Sequence, residues 1–337
     1  MTIKDIARES GYAVGTVSRV LNNQPDVSEK ARKRIMAVVE KYHFRLNNNA
    51  KHLKQQNNSG IAIIVKGTRN MLFANMVESL QGLIKEKKYA CIIDYIGEND
   101  NEVEQALQVC RERQPLGILF LGGNLENFKE RFNEVDIPCV LVTNSTESLN
   151  FGNLSSVSID DTVAAQKAIE YLVSLGHKEI GVLGGEMKEM KHSNPAKSRY
   201  DGCVLAFQKW NLAFNAQRQF EATPFTMEGG YEAMERLLDK MPNITAVFTM
   251  SDVMALGAIR AVKNKGLRVP EDISIIGFDG IEMGQYMVPR LTTIQQPSQK
   301  LASRCIEILL QQIREEQSAI NELVPFSLIV GESTAKL

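Results

Sequence analysis

Gly15, Ser18 and Arg19 share one side of a helix that starts at about Val14, where a bare backbone, a hydroxyl and a guanidinium make a surface for docking rather than for bond breaking. The elements that must position them lie within Thr2 to Asn22, TIKDIARESGYAVGTVSRVLN. Thr2 is placed to cap a first helix, with Asp5 answering it at the third position, and Ile3, Ile6 and Ala7 give that helix an apolar edge. Gly11 ends it, and Val17 and Leu21 turn the second helix inward. Two short helices joined by a glycine turn read as a helix-turn-helix, and a helix of this size fits a DNA major groove.

Bond-breaking chemistry has no comparable signature. The chain carries no GxGxxG, P-loop, GxSxG or HExxH pattern, and its four histidines (43, 52, 177, 192) are scattered. His177 follows Gly176 at a helix end, where a C-terminal cap is the expected role. The chain therefore reads as a non-enzyme without cofactor or catalytic metal.

At 337 residues the chain is long enough for two or three domains. Its net charge of -1 conceals a division: residues 1–58 hold eleven Lys/Arg against five Asp/Glu, and the remainder 28 against 35. A basic head on an acidic body is expected if the head meets phosphate and the body must not; the alternative is a solvated basic surface. Five cysteines (91, 110, 139, 203, 305), odd in number and without a CxxC, read as reduced, mostly buried thiols in a cytoplasmic protein. No apolar signal core opens the chain, and its apolar runs are too short to span a bilayer.

A third helix is expected from Ser28, its cap, through Ile35, Val38, Val39 and Tyr42. The polar stretch LNNNAKHLKQQNNS at 46–59 reads as a hinge that orders on binding. Beyond Gly60, apolar runs at 61–65, 91–96, 117–122 and 139–142, then at 180–185, 246–250 and 273–278, alternate with helical patterns at 163–175, 197–209, 231–238 and 253–265. Continuous apolar strands between helices imply parallel sheets covered on both faces. The two series predict two αβ lobes, with a ligand cleft beyond the carboxyl ends of their strands.

Residues 2–23 followed by VSEKARKRI at 27–35 resemble the DNA-binding head of the lactose/galactose repressor (LacI/GalR) family. The likeness continues through GIAIIV at 60–65, YLVSLGHKEIGVLGG at 171–185, SRYDG at 198–202, SDVMALGAIRAVKNKGLRVPEDISIIGFDG at 251–280, LTTIQQP at 291–297 and GEST at 331–334. What the resemblance implies is an α/β core of two parallel-sheet lobes, like periplasmic binding proteins, behind an all-α helix-turn-helix domain. The implied division is a head at 1–45, a hinge helix or linker at 46–58 and a core at 59–337. Within that core, one lobe spans about 59–159 plus 297–320 and the other about 160–294 plus 323–337.

The resemblance further implies a homodimeric regulator, a repressor in the cytoplasm, bound to a pseudo-palindromic operator and controlled by a sugar or sugar phosphate. DNA-contacting positions fall on Thr2, Val14, Gly15, Thr16, Ser18, Arg19 and Asn22, and in the hinge on Ala50, Leu53 and Lys54. Arg19 can donate two hydrogen bonds to a guanine edge, whereas Val14 offers a thymine methyl only apolar contact. Gly15 costs about 1 kcal/mol of helix propensity against Ala but lets the backbone approach DNA closely. Ala13 and Leu46 depart from a capping Ser and a Pro common in relatives. Leu53 falls where relatives push an apolar wedge between base steps.

Effector positions fall on Phe73, Asp160, Arg199, Phe225, Ser251 and Asp279. Arg199 and Asp279 supply the donor fork and acceptor that hold a hydroxyl-rich ligand, Phe73 and Phe225 cover its apolar faces, and Asp160 accepts from a hydroxyl. Ser251 stands where an Asn is frequent. Other readings within the class are control by a nucleobase or by a phosphocarrier protein; outside it stand a cytosolic sugar-binding protein and an αβ enzyme.

Overall fold

The computed structural model describes residues 3–21, 27–42, 60–67, 70–185, 194–315 and 318–337. Thr2, Asn22, Ala50, Leu53 and Lys54 lie outside them. The chain divides into two compact units, Met1–Asn57 and Asn58–Leu337.

In the first unit, helices α1 (Ile3–Ser10), α2 (Val14–Leu21) and α3 (Glu29–Lys41) close over Ile6, Ala7, Val17, Val20 and Ile35. Gly11 makes the turn at φ 77°, a left-handed conformation that a side chain resists. Ser28 Oγ accepts from the Ala31 amide, as a cap should. One inward position differs from expectation: Val20 is buried, and Leu21 only packs at the cluster's edge. The first two apolar residues of α2 that face inward are thus three apart, 17 and 20, and not four.

The second unit holds two six-stranded sheets. The first contains β1 (Gly60–Lys66), β2 (Ala90–Ile96), β3 (Gly117–Leu121), β4 (Cys139–Val142), β5 (Leu154–Ser158) and β11 (Asn321–Leu323), in the order β11-β5-β4-β3-β1-β2 and parallel throughout. The second contains β6 (Ile180–Gly184), β7 (Phe220–Ala222), β8 (Ala246–Thr249), β9 (Ser274–Asp279), β10 (Thr292–Gln295) and β12 (Ser327–Ile329), in the order β12-β10-β9-β8-β6-β7. Only β12 in it runs antiparallel, against β10.

The unbroken apolar run of β1 follows from burial on both faces: Ile61, Ile63 and Val65 enter one core, and Ala62 and Ile64 another. Each such isoleucine contributes about 1.5–3 kcal/mol on leaving water. Helices α4 (Met71–Glu86), α5 (Glu102–Arg113), α6 (Leu125–Arg131) and α13 (Ser298–Glu315) cover the first sheet. Helices α7 (Asp161–Ser174), α8 (Pro195–Lys209), α10 (Met227–Lys240) and α11 (Asp252–Asn264) cover the second, and the short α9 (Ala216–Gln219) and α12 (Met283–Tyr286) lie in its connections.

The two-lobed αβ core expected from the apolar runs is present. Five strands were not expected: β5, β7, β10, β11 and β12. His177 caps the end of α7 as expected, its amide donating to the Leu172 carbonyl at 3.3 Å behind the left-handed Gly176, and its side chain does more. Its ring is buried, with Nδ1 at 3.0 Å from Thr245 Oγ1 and Nε2 at 3.0 Å from the Ala335 carbonyl, so it ties the C-terminal segment to the second sheet. The five cysteines are free thiols, three of them buried. Among the described residues, no helix is long and apolar enough to cross a membrane.

Candidate functional site: an interlobe cleft and a helix-turn-helix face

Five of the six expected effector residues line one cleft of about 520 Å³ in the core unit. Phe73 comes from α4 on the first lobe; Arg199 (α8), Phe225, Ser251 and Asp279 come from the second. The cleft lies at the carboxyl ends of both sheets, each of which reverses its winding at its first strand, β1 or β6.

Arg199 is buried and held from three sides. Its Nε donates to Asp161 Oδ1 at 2.7 Å, its Nη1 to the Met250 carbonyl at 2.5 Å, and its guanidinium stacks 3.7 Å from the Phe278 ring centre. Nη2 then faces Asp279 Oδ1 at 3.9 Å. Asp279 also accepts from Gln296 Nε2 at 2.9 Å. Burial pushes its carboxyl up to about 6, against the opposing pull of Arg199. Burial likewise raises Asp161, although Arg199 beside it acts the other way.

Beneath them, the fully buried Asp252 accepts from Thr293 Oγ1 at 2.6 Å and from the Ile281 amide at 2.8 Å. Burial, with the nearby Asp279 adding to it, holds the Asp252 carboxyl well above the usual range. Gly277 makes room for it, since a Cβ there would collide with Asp252 Oδ1. Asp252 thus anchors the loop that follows Asp279.

Asp160 is not brought into this cleft. Its carboxylate caps α7, accepting from the Val163 amide at 2.9 Å, and it lines an adjoining hollow of about 390 Å³. Its neighbour Asp161 makes the contact with Arg199 instead. Ser251 is in the cleft wall, but its hydroxyl is engaged as the cap of α11, accepting from the Met254 amide at 3.3 Å.

The cleft also carries amides that no sequence motif singles out. Asn70, Asn99, Asn124, Asn127, Asn144 and Asn194 all line it. Three of them, Asn70, Asn124 and Asn194, are the caps of α4, α6 and α8. The available signal was an Asn just ahead of a helical pattern, especially GGN after an apolar strand. Lys66, at the end of β1, also lines the cleft and is paired with the buried Glu102. Glu102 further accepts from the Asn124 amide and from Asn127 Nδ2.

Two of the five non-glycine residues with positive φ among the described residues belong to this cleft. Thr143 at φ 75° and Asp279 at φ 118°, both non-glycine residues, line the cleft. Gly122, at φ 74°, is needed for contact as well, because a Cβ would sit 2.9 Å from the Phe73 ring.

In the first unit, Val14, Gly15 and Arg19 are exposed along α2, with Thr16 and Ser18 half-buried beside them. The face lies opposite the buried Val17 and Val20.

Residues 2–47 match the bacterial regulatory proteins of the lacI family, and residues 169–334 match a periplasmic binding protein-like domain. The HTH-type transcriptional regulator MalR of Clostridium butyricum is 35% identical over 339 residues, covering 99% of both chains. Catabolite control protein A of Priestia megaterium is 30% identical over 318 residues, covering 94% of this chain and 93% of its own. In fold, the chain resembles the Lac repressor dimer bound to operator and the anti-inducer ONPF, with a TM-score of 0.74 at 22% identity and 99% coverage of both chains. It also resembles a LacI family regulator of Enterococcus faecium with bound ribose, with a TM-score of 0.71 at 25% identity, covering 82% of this chain and 99% of that one. With the helix-turn-helix face, the two-lobed core and relatives of this identity along its whole length, the chain belongs to the LacI family of bacterial regulatory proteins and is a DNA-binding transcriptional regulator.

Proposed function

We propose that the chain is a cytoplasmic repressor, acting as a homodimer on a pseudo-palindromic operator, whose DNA affinity is set by a saccharide held between its two core lobes. The observation that carries this reading is the pairing of Arg199 Nη2 and Asp279 Oδ1, 3.9 Å apart in the wall of a cleft that also presents Phe73 and Phe225. The Nη2 donor beside a carboxylate, in a cleft that also presents aromatic rings, suits adjacent sugar hydroxyls and an apolar ring face. The ribose bound by the Enterococcus faecium neighbour supports the same ligand class.

In this reading the head is residues 1–45, the hinge 46–58 and the core 59–337. Thr2, Val14, Gly15, Thr16, Ser18, Arg19 and Asn22 meet the operator's major groove, and Ala50, Leu53 and Lys54 its minor groove. The ligand acts by linkage: it shifts DNA affinity only by its differential affinity for the two core states, typically about 5- to 150-fold. The test is DNA binding by the full chain, on a fragment selected by the protein from random duplexes, with and without saturating saccharide. A changed affinity that is lost in Asp279→Asn supports the reading; an identical affinity with ligand bound refutes it.

A further inference from the structure

The cleft and its adjoining hollow differ in ways that narrow the ligand. The main compartment, at about 520 Å³, lies within the range of about 300–1,000 Å³ usual for small-molecule sites. The hollow of about 390 Å³ abuts it, because Asn144, Asn194 and Pro195 belong to the walls of both. The hollow is polar. Ser145, Ser198 and Thr162 line it, and so does Ser158, whose hydroxyl is buried without a hydrogen-bond partner. A buried hydroxyl left unpaired costs about 1–3 kcal/mol, so a polar occupant that relieved it would gain.

Charge narrows the ligand further. Among the described residues, the only cations lining either compartment are Lys66 and Arg199, and each is neutralised by a buried carboxylate, Glu102 or Asp161. Glu98 and Asp279 line the main compartment, and Glu147, Asp160 and Glu322 the hollow. A phosphate or carboxylate placed there would meet like charge, with no uncommitted cation among the described lining residues to offset it. Amides and hydroxyls, by contrast, both donate to and accept from neutral polyols without a desolvated charge.

We infer that the effector is a neutral saccharide of at least two rings, one over Arg199 and Asp279 and the next in the hollow past Asn144 and Asn194. This inference rests on the saccharide reading above. A second ring that reaches the hollow adds contacts the first cannot make, and it touches Asp160 and Thr162 where the chain crosses from the first lobe to the second.

The test is isothermal titration of the full chain with maltose, cellobiose, lactose, sucrose and trehalose, with glucose, galactose and fructose, and with glucose 6-phosphate and glucuronate. At least one disaccharide should bind about tenfold or more tighter than its own monosaccharides, as one or two added hydrogen bonds require, and neither anion should bind more tightly than glucose. Ser198→Leu fills the hollow from a half-buried helix position, and Ser145→Leu fills it from an exposed loop, so a failure of one to fold leaves the other. Either should reduce disaccharide affinity to the monosaccharide level while leaving monosaccharide affinity unchanged.

Equal affinity for one ring and two, tighter binding of glucose 6-phosphate than glucose, or a disaccharide indifferent to both folded variants would overturn the inference while the saccharide reading stands. Binding of no sugar of any length would overturn both.

Discussion

Arg199 Nε is bonded to Asp161 Oδ1 at 2.7 Å while its Nη2 faces Asp279 Oδ1 at 3.9 Å, so one buried guanidinium serves a carboxylate at the start of α7 and another at the end of β9. Of the two, Asp161 takes the direct hydrogen bond and Asp279 only the longer contact, while Asp279 and not Asp161 lines the larger cleft. This division explains why family-like ligand positions on Arg199 and Asp279 coexist with an Asp160 turned away as a helix cap.

Arg199→Ala is expected to cost about 3–5 kcal/mol of stability, because it leaves Asp161 buried without its cation. Arg199→Met and Asp161→Leu should each lose stability for the same reason, and the double variant Arg199→Met/Asp161→Leu should recover much of that loss. Urea denaturation of the two single variants and the double variant measures the coupling; additive losses would show that the pair contributes no interaction of its own.

Asp279 should make saccharide binding depend on pH. Its carboxyl is raised to about 6, above the unfolded value, so the folded state favours the proton: its contribution to stability is present below about pH 4 and lost as pH rises through 6. A sugar hydroxyl donating to the carboxylate favours the opposite form. Affinity should therefore fall as pH drops through about 6, with proton release on binding near that pH, and Asp279→Asn should bind more weakly with a flattened profile. Titrations in buffers of different ionisation enthalpy at pH 6 read the released proton.

His177 sets a second pH dependence, on the fold alone. Burial holds its imidazole below the usual range, so the neutral ring is the folded form. The stability this confers is present above about pH 6.5 and is lost as pH falls through the depressed value. His177→Asn should flatten the acid side of a Tm-against-pH curve; a curve superimposable on that of the parent chain would assign the acid loss elsewhere.

Duplex DNA binding should require the head. The intact chain is expected to lose affinity steeply as salt rises, and a chain beginning at Gly60 should show no such binding. Arg19→Ala should cost about 1–3 kcal/mol on the selected site and less on random duplex, since it removes a base contact rather than a phosphate contact. Fluorescence anisotropy over a range of salt distinguishes the two losses.

Leu53→Ala should weaken specific binding more than non-specific binding, because an apolar wedge acts only where the duplex is kinked around it. Equal losses on both DNAs would remove the wedge.

The long apolar strands and the helices between them were legible because burial on both faces leaves a continuous run, as in β1 and β9. β5 was not, because its LSSVS is buried polar: Ser155 Oγ accepts from the Ile320 amide and Ser156 Oγ donates to Asn321. The segment that leads into the distant β11, with the Thr146 amide on Ser156 Oγ, makes those serines tolerable in a sheet, and no local pattern announces it. Phe73, Arg199, Phe225, Ser251 and Asp279 were found through resemblance and do share a cleft. Asp160 was placed one residue away from Asp161, the carboxylate that reaches Arg199, and residue type alone could not separate neighbours. Asn70, Asn124 and Asn194 escaped because an amide ahead of a helix reads first as a cap, and Asn99, Asn127 and Asn144 because no local pattern marks them.

Both sheets of the core are finished by residues that come late in the chain. α13 and β11 complete the first, and β12 and the segment through Ser333, whose hydroxyl donates to the Ile275 carbonyl, complete the second. The head closes its apolar cluster within residues 6–39. During synthesis the apolar cluster of the head can therefore close long before either sheet of the core is complete, and cleavage between α13 and β11 takes an edge strand from each sheet while leaving that cluster uncut.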